Sequence, residues 1–168
     1  MGSLEAWSAG APPLACGADI LFAEQAQARG IDLTVRIPFA EEDFIAQSVR
    51  PGGKGWLDRY LTCRDAAAMV YFASNAKFVG DDGQFVLGSQ TAMGLARLRA
   101  RELETSALQL AVIDPDVAAR ATDLRAGTNA DIRLWQAHGG TTITIAVAQL
   151  DRRLEFPASP QVPEGTQR

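Results

Sequence analysis

Three glycine-marked turns and one histidine hold the side chains of this chain that could do chemistry. The first turn is Leu14-Ala15-Cys16-Gly17-Ala18-Asp19. A glycine lets the backbone approach a ligand closely. A helix starting just beyond it would aim free N–H groups, backed by the positive end of its dipole, at an anion. The same residues have a plainer use, with Gly17 as a turn and Asp19 as a helix cap. The second turn is Arg125-Ala126-Gly127-Thr128-Asn129-Ala130-Asp131. Thr128, at the start of a helical stretch, could hold a phosphate. Thr128 and Asp131 also have the Ser/Thr-x-x-acid spacing of a capping box, and the two uses do not exclude each other. The third is Gly80-Asp81-Asp82-Gly83. Its adjacent carboxylates could hold a divalent ion, but the regular series of oxygen ligands in a calcium loop is missing. A polar loop and helix cap is the better reading, and no metal site is expected. His138 closes a helical stretch, where a positive imidazole is stabilised. It has no Ser or Cys partner nearby in sequence, which favours a capping or surface role. No Ser-His-Asp order, Walker loop or strand-borne Gly-x-Gly-x-x-Gly occurs, and Gly52-Gly53-Lys54-Gly55 lacks the P-loop spacing.

Alternating helices and strands would have to position these turns. Residues 18–29 place Ile20, Leu21, Ala23, Ala26 and Ala28 near a helical period, and Gly30 ends them. Residues 31–39 alternate Leu33, Val35, Ile37 and Phe39 as a strand does, with Pro38 at the end where a missing N–H costs least. Residues 41–49 read as a short helix with acids in its first turn, and 51–55 as a flexible loop. A helix over 56–66, an apolar strand over 67–73 and a polar loop over 74–83 come next. A long helix over 84–104 and a second apolar strand over 108–114 follow, then a loop or short helix over 115–126. A helix over 128–138 and a strand over 141–148 complete the pattern. Apolar strands separated by helices imply a mostly parallel sheet covered on both faces. The expected architecture is a three-layer α/β sandwich, with ligands bound outside the carboxyl ends of the strands. No strand precedes residue 18, although doubly wound sheets usually open with one. A weak strand within residues 11–16, a later-than-natural start or a partner chain would each account for that.

With 168 residues, 47 % hydrophobic and 21 % charged, the chain suits one ordinary globular domain. Residues 1–13 read as a flexible lead, 14–156 as the domain, and 157–168, with three prolines, as a disordered tail. The net charge of −4 argues against a binder of DNA or RNA backbones. Arg97, Arg99 and Arg101 are followed at once by Glu102 and Glu104, as on a solvated helix face. No leader or membrane-spanning stretch is evident, so a cytoplasmic protein is expected, with Cys16 and Cys63 reduced, small and buried.

The run Ala15-Cys16-Gly17-Ala18-Asp19-Ile20-Leu21-Phe22-Ala23-Glu24, followed by Arg29-Gly30-Ile31 and Val35-Arg36-Ile37-Pro38-Phe39, resembles the Gly-Ala-Asp, helix, strand, Pro segment of the SLOG superfamily. These are Rossmann-like domains related to the DNA-processing protein DprA and to the LOG phosphoribohydrolases. More closely, the run resembles uncharacterised bacterial domains found beside cyclase, TIR or tetratricopeptide modules. Trp56, Gly80-Asp81-Asp82, Met93-Gly94-Leu95-Ala96, Gly127-Thr128 and Trp135 continue the resemblance over most of residues 14–148.

The resemblance implies a pocket for a nucleotide or nucleotide-derived phosphate. In LOG enzymes a Gly-Gly-x-Gly-Thr-x-x-Glu motif binds phosphate and supplies a catalytic acid. Here Gly127 and Thr128 match it, Asp131 stands in the place of the Glu, and Arg125 and Ala126 replace the earlier glycines. Sensing without catalysis is therefore the leading expectation. Gly17, Asp19, Gly127, Thr128 and Asp131 would line the site, with Asp81 and Asp82 at its rim. The alternatives are a hydrolase of nucleotide N-glycosidic bonds using Asp131 or Asp19, and a structural or assembly domain with a vestigial site. The expected partners are a nucleotide-like small molecule, and a second copy of the chain or an attached effector domain. The sequence names no cofactor.

Overall fold

The computed structural model of the protein describes residues 12–114 and 126–147. Helices and strands alternate through α1 (Ala18–Ala28), β1 (Thr34–Ile37), α2 (Glu41–Phe44), α3 (Trp56–Asp65), β2 (Met69–Phe72), α4 (Gly83–Glu102), β3 (Leu108–Ile113), α5 (Thr128–Ala137) and β4 (Thr141–Ala146). The fold is α/β with short parallel sheets. The sequence expectations for residues 1–11, 115–125 and 148–168 lie outside the described residues.

The helix ends follow from local chemistry. Gly30, at φ 68°, closes α1, its N–H bonding Gln27 O while the Ile31 N–H reaches Ala26 O. That is a Schellman motif, in which a left-handed residue lets two stray carbonyls find donors. Gly139 and Gly140 close α5 the same way, on Gln136 and Trp135. Helix α4 ends in the same pattern, but Glu104 takes the left-handed position, at φ 51°. A side chain there crowds the following carbonyl. Glu104→Gly is therefore expected to stabilise the chain, by about 0.5–1 kcal/mol, as read by chemical denaturation.

Two expected elements differ in extent. The strand expected over 31–39 runs over Thr34–Ile37 with a bridge at Leu33, and it starts late because the Schellman turn uses residues 30 and 31. The short helix expected over 41–49 is α-helical only to Phe44. It continues as a π-helical turn over Ile45–Val49 and a 3₁₀ turn over Arg50–Gly52. Pro51 has no N–H with which to prolong a helix. The widened turn leaves the Ser48 carbonyl to accept the Cys16 N–H at 2.8 Å.

The buried core lies on one side of β1. Ile20 and Ala23 of α1, Val35 and Ile37 of β1, and Tyr60 and Cys63 of α3 pack there with Leu14 and Phe44. Beside them Phe39 meets the rings of Phe44, Phe78 and Phe85 at centroid distances of 6.0, 5.0 and 5.1 Å. Polar ties brace the same elements. Arg59 forks onto Glu24 at 2.7 and 2.6 Å and lies over the Trp56 ring. Glu41 accepts from both the Tyr60 hydroxyl, at 2.9 Å, and Arg64, at 2.7 Å.

Of the single covered sheet expected from the sequence, the described residues show two parallel pairs. β1 pairs with β2, and β3 with β4, each in parallel, and the two pairs are not bonded to each other. Nor are the apolar strands covered on both faces. Met69, Tyr71 and Phe72 of β2, and Leu108, Leu110 and Ile143 of the second pair, are each more than 40 % exposed. The reason is packing. α5 lies against β3 and β4 and buries Trp135 and Ala111, but no described element closes over the remaining apolar side chains. The cysteines also divide. Both are free, Cys63 is buried, and Cys16 is only partly so, because it sits in the loop before α1 against Gly52.

Candidate functional site

Between β1 and β3 lies a cavity of about 680 Å³. Its mouth is made by helix beginnings: Ala18 and Asp19 of α1, Asp82 just before α4, and Gly127, Thr128 and Asp131 at the start of α5. Its walls are Arg36 and Pro38 on one side, Ser89 and Met93 of α4 above, and residues 108–112 opposite. Of the seven residues expected to line a site, five (Asp19, Gly127, Thr128, Asp131 and Asp82) line this cavity. Gly17 and Asp81 do not. Gly17 is the N-cap of α1, at φ 99°, one residue back from the lining. Asp81 turns its carboxylate onto the Gly83 N–H at 2.7 Å, at the first residue of α4, whose N-cap position is held by Asp82 with no side-chain cap bond.

The two capping readings are corrected. Asp19 does not cap α1 by a side-chain bond. It is the second helical residue, and its Oδ2 reaches back to accept the Ala15 N–H at 3.2 Å. The Thr128–Asp131 capping box does not form either. Gly127 is the N-cap, held at φ 91° and ψ 174°, a region open in practice only to glycine. Thr128 therefore falls one position too late to cap. The Asp131 N–H bonds the Gly127 carbonyl at 3.0 Å. Its carboxylate is free to turn inward, where it accepts the Ser89 hydroxyl at 2.9 Å.

Both carboxyls are held above the ordinary range. Burial pushes Asp19 up to about 6, against a smaller pull downward from the Ala15 N–H, and the neighbouring Asp131 charge pushes the same way as burial. Asp131 is also raised, by burial, with the Ser89 hydroxyl opposing. Two acids that feel each other inside a desolvated pocket can differ in protonation near neutral pH. One can then donate a proton or a hydrogen bond while the other accepts.

Two lining residues escaped the sequence reading of the site. Arg36 lies over the Tyr71 ring at 4.9 Å, and its Nε is buried with no hydrogen-bond partner among the described residues. Burial lowers its pKa. Strand alternation carried the signal: with Leu33, Val35 and Ile37 facing the core, Arg36 has to face the other way. Ser89 follows Gly88, where a Cβ would meet Pro38 Cβ at 2.8 Å. A glycine inside a long helix marks such a close approach, and this one brings Ser89 down over β1.

His138 stands at the C-terminus of α5, exposed, with its Nδ1 2.8 Å from the Leu134 carbonyl. It lies outside the cavity lining. Among the described residues no three of His, Cys, Asp and Glu are grouped to hold a metal ion, and no helix is long and apolar enough to cross a membrane. No family model, curated protein or solved structure matches the chain.

Proposed function

We propose that the chain binds a nucleotide, or a nucleotide-derived phosphate ligand, at the mouth of this cavity. On this reading it is the sensing domain of a bacterial signalling protein, and its parallel pairs belong to one Rossmann-like three-layer sandwich. One observation carries the proposal. The beginnings of α1 and α5, each preceded by a glycine at positive φ, open onto one space, and Asp19 and Asp131 are near enough there to feel each other's charge. Helix beginnings offer N–H donors and positive potential to a phosphate. Asp19 and Asp131 are suited to ribose hydroxyls, and the unpartnered Arg36 Nε to an anion.

The test is titration calorimetry against a panel of nucleoside mono- and diphosphates and dinucleotides. At least one is expected to bind, and Asp131→Ala to weaken that binding by about 10- to 100-fold, the range for losing one hydrogen bond to a charged group. Silence across the panel would leave a structural or assembly role. A second reading is favoured by the raised Asp19 carboxyl beside Asp131, since such a pair suits general acid–base work. The reaction would be hydrolysis of a nucleotide N-glycosidic bond. Incubation with nucleoside monophosphates should then release free base, and turnover that survives Asp131→Ala would rule it out.

A further inference from the structure

Helix α4 brings to the cavity a side chain that acts on another residue. Phe85, Gly88, Ser89, Ala92, Met93 and Ala96 line the space, at the three- and four-residue spacing that puts them on one stripe of the helix. Of these only Ser89 has an O–H to give. A serine inside a helix ordinarily turns its hydroxyl to the carbonyl of the preceding turn or to water. Ser89 instead donates to Asp131 Oδ2 at 2.9 Å, reaching from α4 to the first turn of α5 across 42 residues of chain.

Where Ser89 stands is set from the β1 side. Phe85, one turn earlier, packs its ring edge-on against Phe39 at 5.1 Å. At Gly88 the helix comes so near Pro38 that an added Cβ would lie 2.8 Å from Pro38 Cβ. Pro38 is buried, and its closed ring cannot swing aside as a flexible side chain would. Asp131 belongs to the other pair of strands, since α5 packs on β3 and β4. Ser89 thus passes the position of β1 to a carboxylate of α5. A second tie between the two helices, from Arg97 to the His138 carbonyl at 2.9 Å, is exposed and holds no carboxylate.

We propose that Ser89 is a positioning residue for this site: its hydroxyl, seated by the contact of Gly88 with Pro38, turns Asp131 into the cavity and takes up one carboxylate oxygen, so that the other meets the ligand. The proposal rests on reading the cavity as a nucleotide site. The same bond favours the ionised form of Asp131 against the effect of burial, which keeps the group an acceptor for a ribose hydroxyl.

Carboxyl-detected NMR titration of the ligand-free chain is the first test. Ser89→Ala should move the Asp131 midpoint to higher pH, because burial then acts without the opposing hydroxyl. Alanine is the better helix former, so the variant is expected to fold. Gly88→Ala keeps the serine but pushes α4 off Pro38, and should move the midpoint the same way. Calorimetry with the nucleoside mono- and diphosphates is the second test. Ser89→Ala should weaken binding by about 3- to 10-fold, the worth of one intramolecular hydrogen bond. With Asp131→Ala already present it should add less than about 2-fold, as expected of a residue that acts through Asp131. An unmoved midpoint in Ser89→Ala would overturn the proposal. So would an equal loss of affinity in both backgrounds, since the serine would then touch the ligand itself. A panel without a binder defeats the nucleotide reading alone, whereas the titration needs no ligand and judges Ser89 separately.

Discussion

Phe39→Ala is expected to lower the unfolding free energy by about 4 kcal/mol, a large part of the roughly 5–15 kcal/mol by which a folded domain is stable. Phe39 is fully buried and touches three other rings, two of them edge-on and one stacked. Phe78 reaches it from the loop after β2, and Phe85 from the first turns of α4. That loop is itself fastened to α2, since Asp43 accepts the Phe78 N–H at 2.8 Å. The cavity left by alanine could not collapse easily, because each ring around it is held by a different element. Phe39→Leu keeps most of the volume and should cost about 1–1.5 kcal/mol. Urea denaturation of both variants checks the pair. Equal losses would mean that the filled volume contributes nothing and that the ring contacts carry the whole effect.

Asp19→Asn should make the chain more stable at pH 8, by about 2 kcal/mol, and leave it unchanged at pH 3.5. In the folded chain the Asp19 carboxyl keeps its proton up to about pH 6, against 3.8 as the ordinary value. Between those limits the folded state binds more protons than the unfolded state. Stability from this group is therefore full below about pH 4, falls as pH rises through 6, and stays reduced above. Asparagine removes the ionisation but keeps an oxygen for the Ala15 N–H, so the substitution isolates the charge. Denaturation of both proteins across this pH range is the measurement. A difference that does not change with pH would refute the cause assigned here, which is burial of the charged form.

Much of the molecule was legible where the signal is local. The apolar period of residues 18–29 and the glycine after it fix α1 and its end, and the alternation of Leu33, Val35 and Ile37 fixes which side of β1 meets the core. The start of α5 was legible too, since a glycine before a threonine and an acid marks a helix beginning. Its detail was not. Whether Thr128 or Gly127 caps the helix depends on one backbone angle, and whether Asp131 turns inward depends on Ser89, 42 residues away in the chain. The exposed faces of β2 and β3 were equally out of reach. A run such as Met69-Val70-Tyr71-Phe72 reads as fully buried whether or not a covering layer exists, because the pattern records what the strand would prefer and not what arrives to meet it.

The π-helical turn after α2 places control of the cavity mouth outside the mouth. No residue from 41 to 52 lines the cavity, yet the Ser48 carbonyl holds the Cys16 N–H at 2.8 Å, one residue before Gly17. A π turn is one residue longer than the α turn it replaces. Losing one residue anywhere in Ile45–Val49 would let the segment rewind and draw that carbonyl into the helix's own bonding. The loop leading into α1 would lose one of its ties, beside the buried Leu14, with every lining side chain still in the sequence. A turn that lines no part of the cavity thus helps to hold the loop from which the α1 side of its mouth begins.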